Sequence, residues 1–389
     1  MKQIDEAQNK SKKTNKKMMI LSCIGIILVV LGHTKNQLGF ASNIFTVYSF
    51  HMALFVFISG YFYNPKYEEN IFGRKGYIIK KVKKLIIPYF IWNIIYGIIV
   101  TLARNLNIVS YGQPINFNSL FIKPWTTGHQ YTLNIASWFL LALFLVNISY
   151  ILLRTLLKKM KLWNDNVFLV IFFILALYAV YMSKHKIGEN FIPLFRTLFF
   201  SFFYHFGYIY KTKIEGRLKI NTVLYFIILI VINLILFKIG EKLSYEIVFM
   251  KFTGKTIIVP VLASITGILF YAKISEILEP ALGNSKIINY ISENTYSIMM
   301  HHLFWIFITN VIIFKVSGLL NLQGFDIDKF KHTIYYFYTA GVSQAAILYT
   351  IIATAMPLAL KWVYDKVNPK DRIKNFKYMA ERKRKDNGE

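Results

Sequence analysis

Apolar blocks about as long as a bilayer is thick recur along this chain, separated by short charged stretches. A hydrocarbon core of ~30 Å takes about 20 helical residues, and a helix is one of the few structures that satisfies its own backbone there. Ten blocks are legible, near 18–34, 44–63, 85–102, 136–157, 166–182, 193–210, 221–238, 256–272, 289–313 and 343–363. The expected fold class is therefore an all-α integral membrane protein of about ten transmembrane helices. One integral domain over 18–363 is the simplest division, flanked by a basic N-terminus, 1–17, and a basic tail, 364–389. The composition agrees, with 55% hydrophobic and 17% aromatic residues.

The start of the chain has a second reading as a cleaved leader. "KKTNKK" precedes the first apolar block, and Gly39-Phe40-Ala41 imitates a cleavage site. Lys35 and several polar residues separate that triplet from the apolar core, so a retained first helix is expected.

The formal charge of +27 does not point to nucleic acid, because the lysines lie in the loops between apolar blocks. Cytoplasmic loops retain positive charge. With the N-terminus inside, the inner segments (1–17, 64–84, 158–165 with Arg154, 211–220, 273–288 and the tail from 361) hold 33 of the 46 Lys and Arg. An N-in, C-in, multi-pass protein follows as the expectation, and the high Lys, Ile, Asn and Phe content points to a bacterial cytoplasmic membrane. Its basic loops face anionic lipid, worth about 1 kcal/mol per residue near the surface. The single cysteine, Cys23, excludes an intrachain disulfide and reads as a small buried hydrophobe.

Histidines supply the chemistry. Of eight, His129, His185 and His332 fall in outer loops, and His33, His51, His205, His301 and His302 fall within blocks. Polar groups inside a membrane are costly and face the bundle interior or a cavity. At ~1.5 Å per residue, His33 lies about 22 Å above the inner end of the first span, and His51, His301 and His302 reach a similar outer level. His205 falls in the inner half and is expected to belong elsewhere. The 19 Asp and Glu lie in loops or at span ends, which disfavours a proton-coupled transporter. No HExxH, CxxC or GxSxG pattern is present, so neither a metal site nor a serine triad is expected.

"IGIILVVLGH" followed by "VYSFHMALFVFISGYFYNP" resembles the opening of the acyltransferase family 3 membrane proteins, in the branch of fucose 4-O-acetylase-like sugar acetyltransferases. The likeness rests on Val29, Val30, Gly32, His33, Phe50, His51, Met52, Leu54, Phe55, Ser59, Gly60 and Tyr61, with Ala53 in place of a usual proline. "KKLIIPYFIW", "SWFLLALFLVN", "FRTLFFSFFYHFGYIYK" and "NTYSIMMHHLF" are similar to later family segments, the last placing the family's histidine at His302. One departure stands out. Relatives carry an Asp and a Lys or Arg early in the first helix, the basic residue eleven positions before the histidine, where this chain has Met19 and Ser22. Lys16 or Lys17 is the nearest substitute.

The resemblance implies acyl transfer, most simply of acetyl from acetyl-CoA to a hydroxyl of a cell-surface sugar or polysaccharide. It implies no metal and no nucleic acid, and leaves open whether the chain forms a homo-oligomer. His33 is the expected base, with His302 or His51 orienting the acceptor or stabilising the oxyanion. Donor-side candidates are Lys80, Lys81, Lys83 and Lys84, the Ser22 position, and Arg196 near the outer start of the sixth block. For Arg196 the alternative is snorkelling to the interface. Ser59 reads as small-residue helix packing beside Gly60 rather than as an acyl carrier. The competing reading of the chain is a non-enzymatic polysaccharide exporter or flippase accessory.

Overall fold

The computed structural model describes residues 15–34, 45–73, 76–128, 131–185, 188–217, 220–240, 243–252, 254, 256–320, 324–340 and 346–367. His129 and most of both basic termini lie outside the described residues. The chain is a multi-pass, all-α membrane protein, and among the described residues eight helices are long and apolar enough to cross a bilayer. In chain order the bundle begins with α1 (Lys16–His33), α2 (Val47–Tyr61), α3 (Tyr77–Asn105), α4 (Trp138–Lys159), α5 (Asp165–Ser183), α6 (Ile192–Ile209), α7 (Thr222–Gly240) and α8 (Ile258–Leu282), of which α2, at 15 residues, and α6 fall outside those eight. After these come the short α9 (Lys286–Glu293), then α10 (Thr295–Leu320), the short α11 (Ile327–His332) and α12 (Ala346–Val367). Between α7 and α8 lies a two-stranded antiparallel hairpin, β1 (Tyr245–Glu246) with β2 (Lys251–Phe252).

Each anticipated block falls on a helix, with two boundary corrections. The eighth runs to Leu282 rather than 272, which places Glu276 inside a helix. Its charge is tolerated because Lys273 (2.5 Å) and Lys17 (3.5 Å) pair with it. The ninth block is two helices. Asn294 leaves helical geometry (φ −114°, ψ 21°), and its Nδ2 donates to the Tyr290 carbonyl at 2.8 Å, closing the last turn of α9.

α1 is the central helix. The Asn15 side chain caps it, accepting from the Met18 backbone N–H at 2.9 Å. Buried residues occupy most of its circumference, as expected of a helix apolar all round. Met18, Leu21, Leu28 and Leu31 join one buried cluster with α2, α4, α5, α6 and α8. Ile26, Val29 and Val30 join a second with α3, α4, α10 and α12. By contrast α7, the most hydropathic helix, is mostly exposed, as a lipid-facing helix should be.

The tightest crossing joins α2 to α6 through glycines. A Cβ on Gly60 would lie 1.8 Å from the Tyr204 carbonyl oxygen, and one on Gly207 would lie 2.0 Å from that of Phe57. Such backbone-on-backbone contact is how membrane helices associate when lipid supplies no hydrophobic drive. Gly60→Ala is expected to cost at least the ~1–3 kcal/mol typical of overpacking. Thermal unfolding of the detergent-solubilised protein measures it, and an unchanged midpoint would remove this crossing from the account.

Two buried cations of the bundle, Arg154 and Lys17, are paired with carboxylates. Arg154, on α4 and 2% exposed, donates from Nε to Glu68 (2.9 Å), from Nη1 to Asp165 (2.8 Å) and from Nη2 to the Tyr208 hydroxyl (3.1 Å). One guanidinium thus ties α4 to the 65–69 turn, α5 and α6. Lys17 holds Glu215 at 2.7 Å and the Tyr210 hydroxyl at 3.2 Å.

Candidate active site

Where the two clusters meet along α1, the bundle encloses a cavity of about 1330 Å³. Ser22, Ile26, Val29 and His33 line it from α1. Their spacing of four, three and four residues is one face of a helix, so the stripe runs about 16 Å along the wall. Ser22, which occupies the position where relatives carry a cation, therefore faces the same space as His33.

The two ends of the cavity differ in chemistry. At the end where α1 terminates, the wall carries His33, Tyr48, His51, His301, Tyr335 and the β1 hairpin with Glu246. At the other end it carries Lys83, Lys84, Glu293, Asn294, Lys361 and Tyr364. Lys83 and Lys84 sit in a π-helical turn, Val82–Ile86, closed by the Ile87 N–H donating to the Val82 carbonyl. Pro88 follows directly and has no N–H for the Lys84 carbonyl, a local reason for the ladder to widen there. Lys80 and Lys81 do not line the cavity. Lys81 lies over the Tyr77 ring, 5.1 Å from its centroid.

Three elements bring rings around His33. Its centroid is 5.1 Å from that of His302, 6.4 Å from Tyr48 and 6.1 Å from Tyr335, the last within 7° of parallel. Tyr48 also meets His51 edge-on at 5.3 Å. Both neighbours of the anticipated pair reach this region. His302 is fully buried behind His33, whereas His301 lines the cavity and its Nδ1 lies 2.7 Å from the Tyr96 hydroxyl.

Backbone carbonyls fix two tautomers, because a carbonyl only accepts. His51 Nδ1 donates to Val47 O at 2.7 Å, and His302 Nδ1 donates to Ile298 O at 2.9 Å and Met299 O at 3.0 Å. In the neutral ring the lone pair is then on Nε2. For His302 that atom is buried with no hydrogen-bond partner among the described residues, and so is His33 Nδ1. His205 is the opposite case: Nε2 donates to Asp165 O at 2.8 Å and Nδ1 lies 2.8 Å from the Tyr150 hydroxyl. Both its nitrogens are committed, in the Arg154 cluster and away from the cavity.

The remaining sequence candidates separate clearly. Arg196 is 3% exposed and does not snorkel. Its Nη2 donates to the carbonyls of Trp125 and Thr126, and its guanidinium lies 5.2 Å over Trp138, whose ring lines the cavity. It stands one ring behind the wall. Lys17 is held by its carboxylates, and Lys16 donates to Asn284 at 2.6 Å, so neither substitutes at the Ser22 position. Ser59 lines the cavity while Gly60 makes the α6 contact, so the packing role assigned to the pair belongs to the glycine. Sequence reasoning missed Tyr48, Tyr335 and Glu246. Tyr48 lies three residues before His51, one turn along the same face, and that spacing was the available signal.

A multi-pass helical bundle around a long cavity, histidines at one end and lysines at the other, defines a membrane protein with an internal polar-ended cavity. The acyltransferase domain family (Acyl_transf_3) matches residues 20–365, and the chain belongs to acyltransferase family 3. It is a membrane acyltransferase. No curated protein and no solved structure matches the chain.

Proposed function

We propose that the protein is an O-acyltransferase that moves an acetyl group from cytosolic acetyl-CoA to a sugar hydroxyl on the other side of the membrane. The observation that carries this reading is the continuity of one cavity from Lys83 and Lys84 to His33. The lysines lack ion-pair partners among the described residues and suit the phosphates of an acyl-CoA. The apolar stripe of Ile26 and Val29 suits a thioester arm threaded toward His33.

In the reaction the acceptor oxygen attacks the thioester carbonyl while His33 takes its proton. A C–O bond forms, the C–S bond breaks, and the proton passes to the departing thiolate. Base catalysis of this kind contributes typically 10²–10⁴-fold. His302 Nε2 is a lone pair and cannot donate to an oxyanion while its ring is neutral, so its role is to accept a proton or hydrogen bond beside His33. His51, in the same tautomer, is suited to accept from an acceptor hydroxyl.

Radiolabelled acetyl-CoA enclosed with sealed vesicles is expected to label a glycan on the opposite face. Label confined to the donor face would overturn the through-bundle route. Lys83→Ala with Lys84→Ala is expected to raise the KM for acetyl-CoA about tenfold, from two lost charge-assisted contacts, with little change in kcat. A fall in kcat at unchanged KM would detach these lysines from the donor.

A further inference from the structure

The charges lining the cavity are unevenly placed. Lys83, Lys84 and Lys361, with Glu293, are all at the end away from His33. Among the described lining residues of the His33 end, the only carboxylate is that of Glu246 and none is a Lys or Arg. Glu246 is exposed at the tip of β1 and has no ion pair among the described residues. Its cross-strand neighbour Lys251 lies instead over the Phe249 ring, 5.3 Å from the centroid.

The hairpin has a built connection to the site. Thr46, at the start of α2, donates its hydroxyl to the Leu243 carbonyl, tying the strand to the helix that carries Tyr48 and His51. The turn reverses through Met250 in the left-handed region (φ 52°), which aims 244–249 along the cavity wall. Tyr335 lies near enough for the Glu246 carboxylate to raise its hydroxyl above the ordinary value, after burial as the larger cause. The Tyr245 hydroxyl is buried on the same wall with no hydrogen-bond partner among the described residues.

We infer that Glu246, Tyr48 and Tyr335 form the acceptor subsite, and that it selects a neutral or amino sugar against an acidic one. Two tyrosine rings offer faces for the apolar side of a pyranose, and their hydroxyls offer polar contacts at its edge. A free carboxylate accepts hydrogen bonds from two vicinal hydroxyls or pairs with an ammonium. A uronate or sialate in the same place would bring a second negative charge beside Glu246, with no cation among the described lining residues of that end to compensate it. The subsite rests on the acyl-transfer reading above and adds to it the charge class of the acceptor.

The test uses the full-length protein in detergent, with radiolabelled acetyl-CoA and three p-nitrophenyl acceptors: a glucoside, a glucosaminide and a glucuronide. The glucoside and glucosaminide are expected to be acetylated, with kcat/KM for the glucuronide lower by about tenfold or more, since juxtaposed like charges exclude a partner. Glu246→Gln is expected to raise the glucoside KM several-fold without changing that for acetyl-CoA, and to narrow the gap to the glucuronide. Glu246→Lys is expected to reverse the preference. A wild-type protein that uses the glucuronide as well as the glucoside overturns the subsite, as does a preference unmoved in Glu246→Lys. Acetyl-CoA hydrolysis that depends on His33, with no glycoside acetylated, overturns the sugar-acceptor reading itself.

Discussion

His33→Ala is expected to lower acyl transfer about 10²–10⁴-fold while leaving the KM for acetyl-CoA and the helical circular dichroism unchanged. The ring occupies the end of the α1 stripe, and among the described residues its Nδ1 has no hydrogen-bond partner to hold it in a purely structural role. His302→Ala is expected to reduce transfer less, because His302 lies 5.1 Å behind His33 and is fully buried. Steady-state kinetics on both variants, with circular dichroism as the folding control, separate the two roles. Activity of His33→Ala within a factor of about ten of wild type would take the base away from His33.

Arg154→Ala is expected to be the most destabilising single change in the bundle, by about 3–5 kcal/mol. The substitution removes one cation and leaves Glu68 and Asp165, 13% and 24% exposed, without their guanidinium. Lysine does not rescue it fully, because a point charge cannot replace the fork that reaches three partners on three elements. The readout is the thermal midpoint in detergent together with the yield of monodisperse protein. A midpoint within experimental scatter of wild type would show that the pairs roughly cancel their own desolvation.

Much of the architecture was legible because lipid leaves a chain few choices. Length and apolarity alone locate the helices, and helical rise brings His33, His51 and the 301–302 pair to one level. The structure sets His33 and His51 against Tyr48 and His302 against His33, while His301 meets Trp92 and Tyr96. What escaped the sequence depends on contacts between distant segments. Glu276 marks a helix end by its charge until Lys17, on another helix, is seen beside it. The division at Asn294 follows from one side chain turning back to a carbonyl. The facing of Lys83 and Lys84 depends on phase within a π turn, which ordinary helical periodicity does not carry. Glu246 and Tyr335 come from connecting segments that fold against the bundle, and nothing in their local pattern announces it.

The separation of cation and base onto different helices has a mechanical consequence. In relatives the basic residue and the histidine ride one helix, eleven residues apart, so covalent geometry sets their distance. Here the lysines belong to α3 and His33 to α1, and side-chain packing between helices sets the interval instead. On the acyl-transfer reading proposed above, the interval that measures the acyl donor is thus adjustable. Ile26, Val29 and Leu85 line the same cavity, so trimming or enlarging them is expected to reset the length of acyl chain accepted.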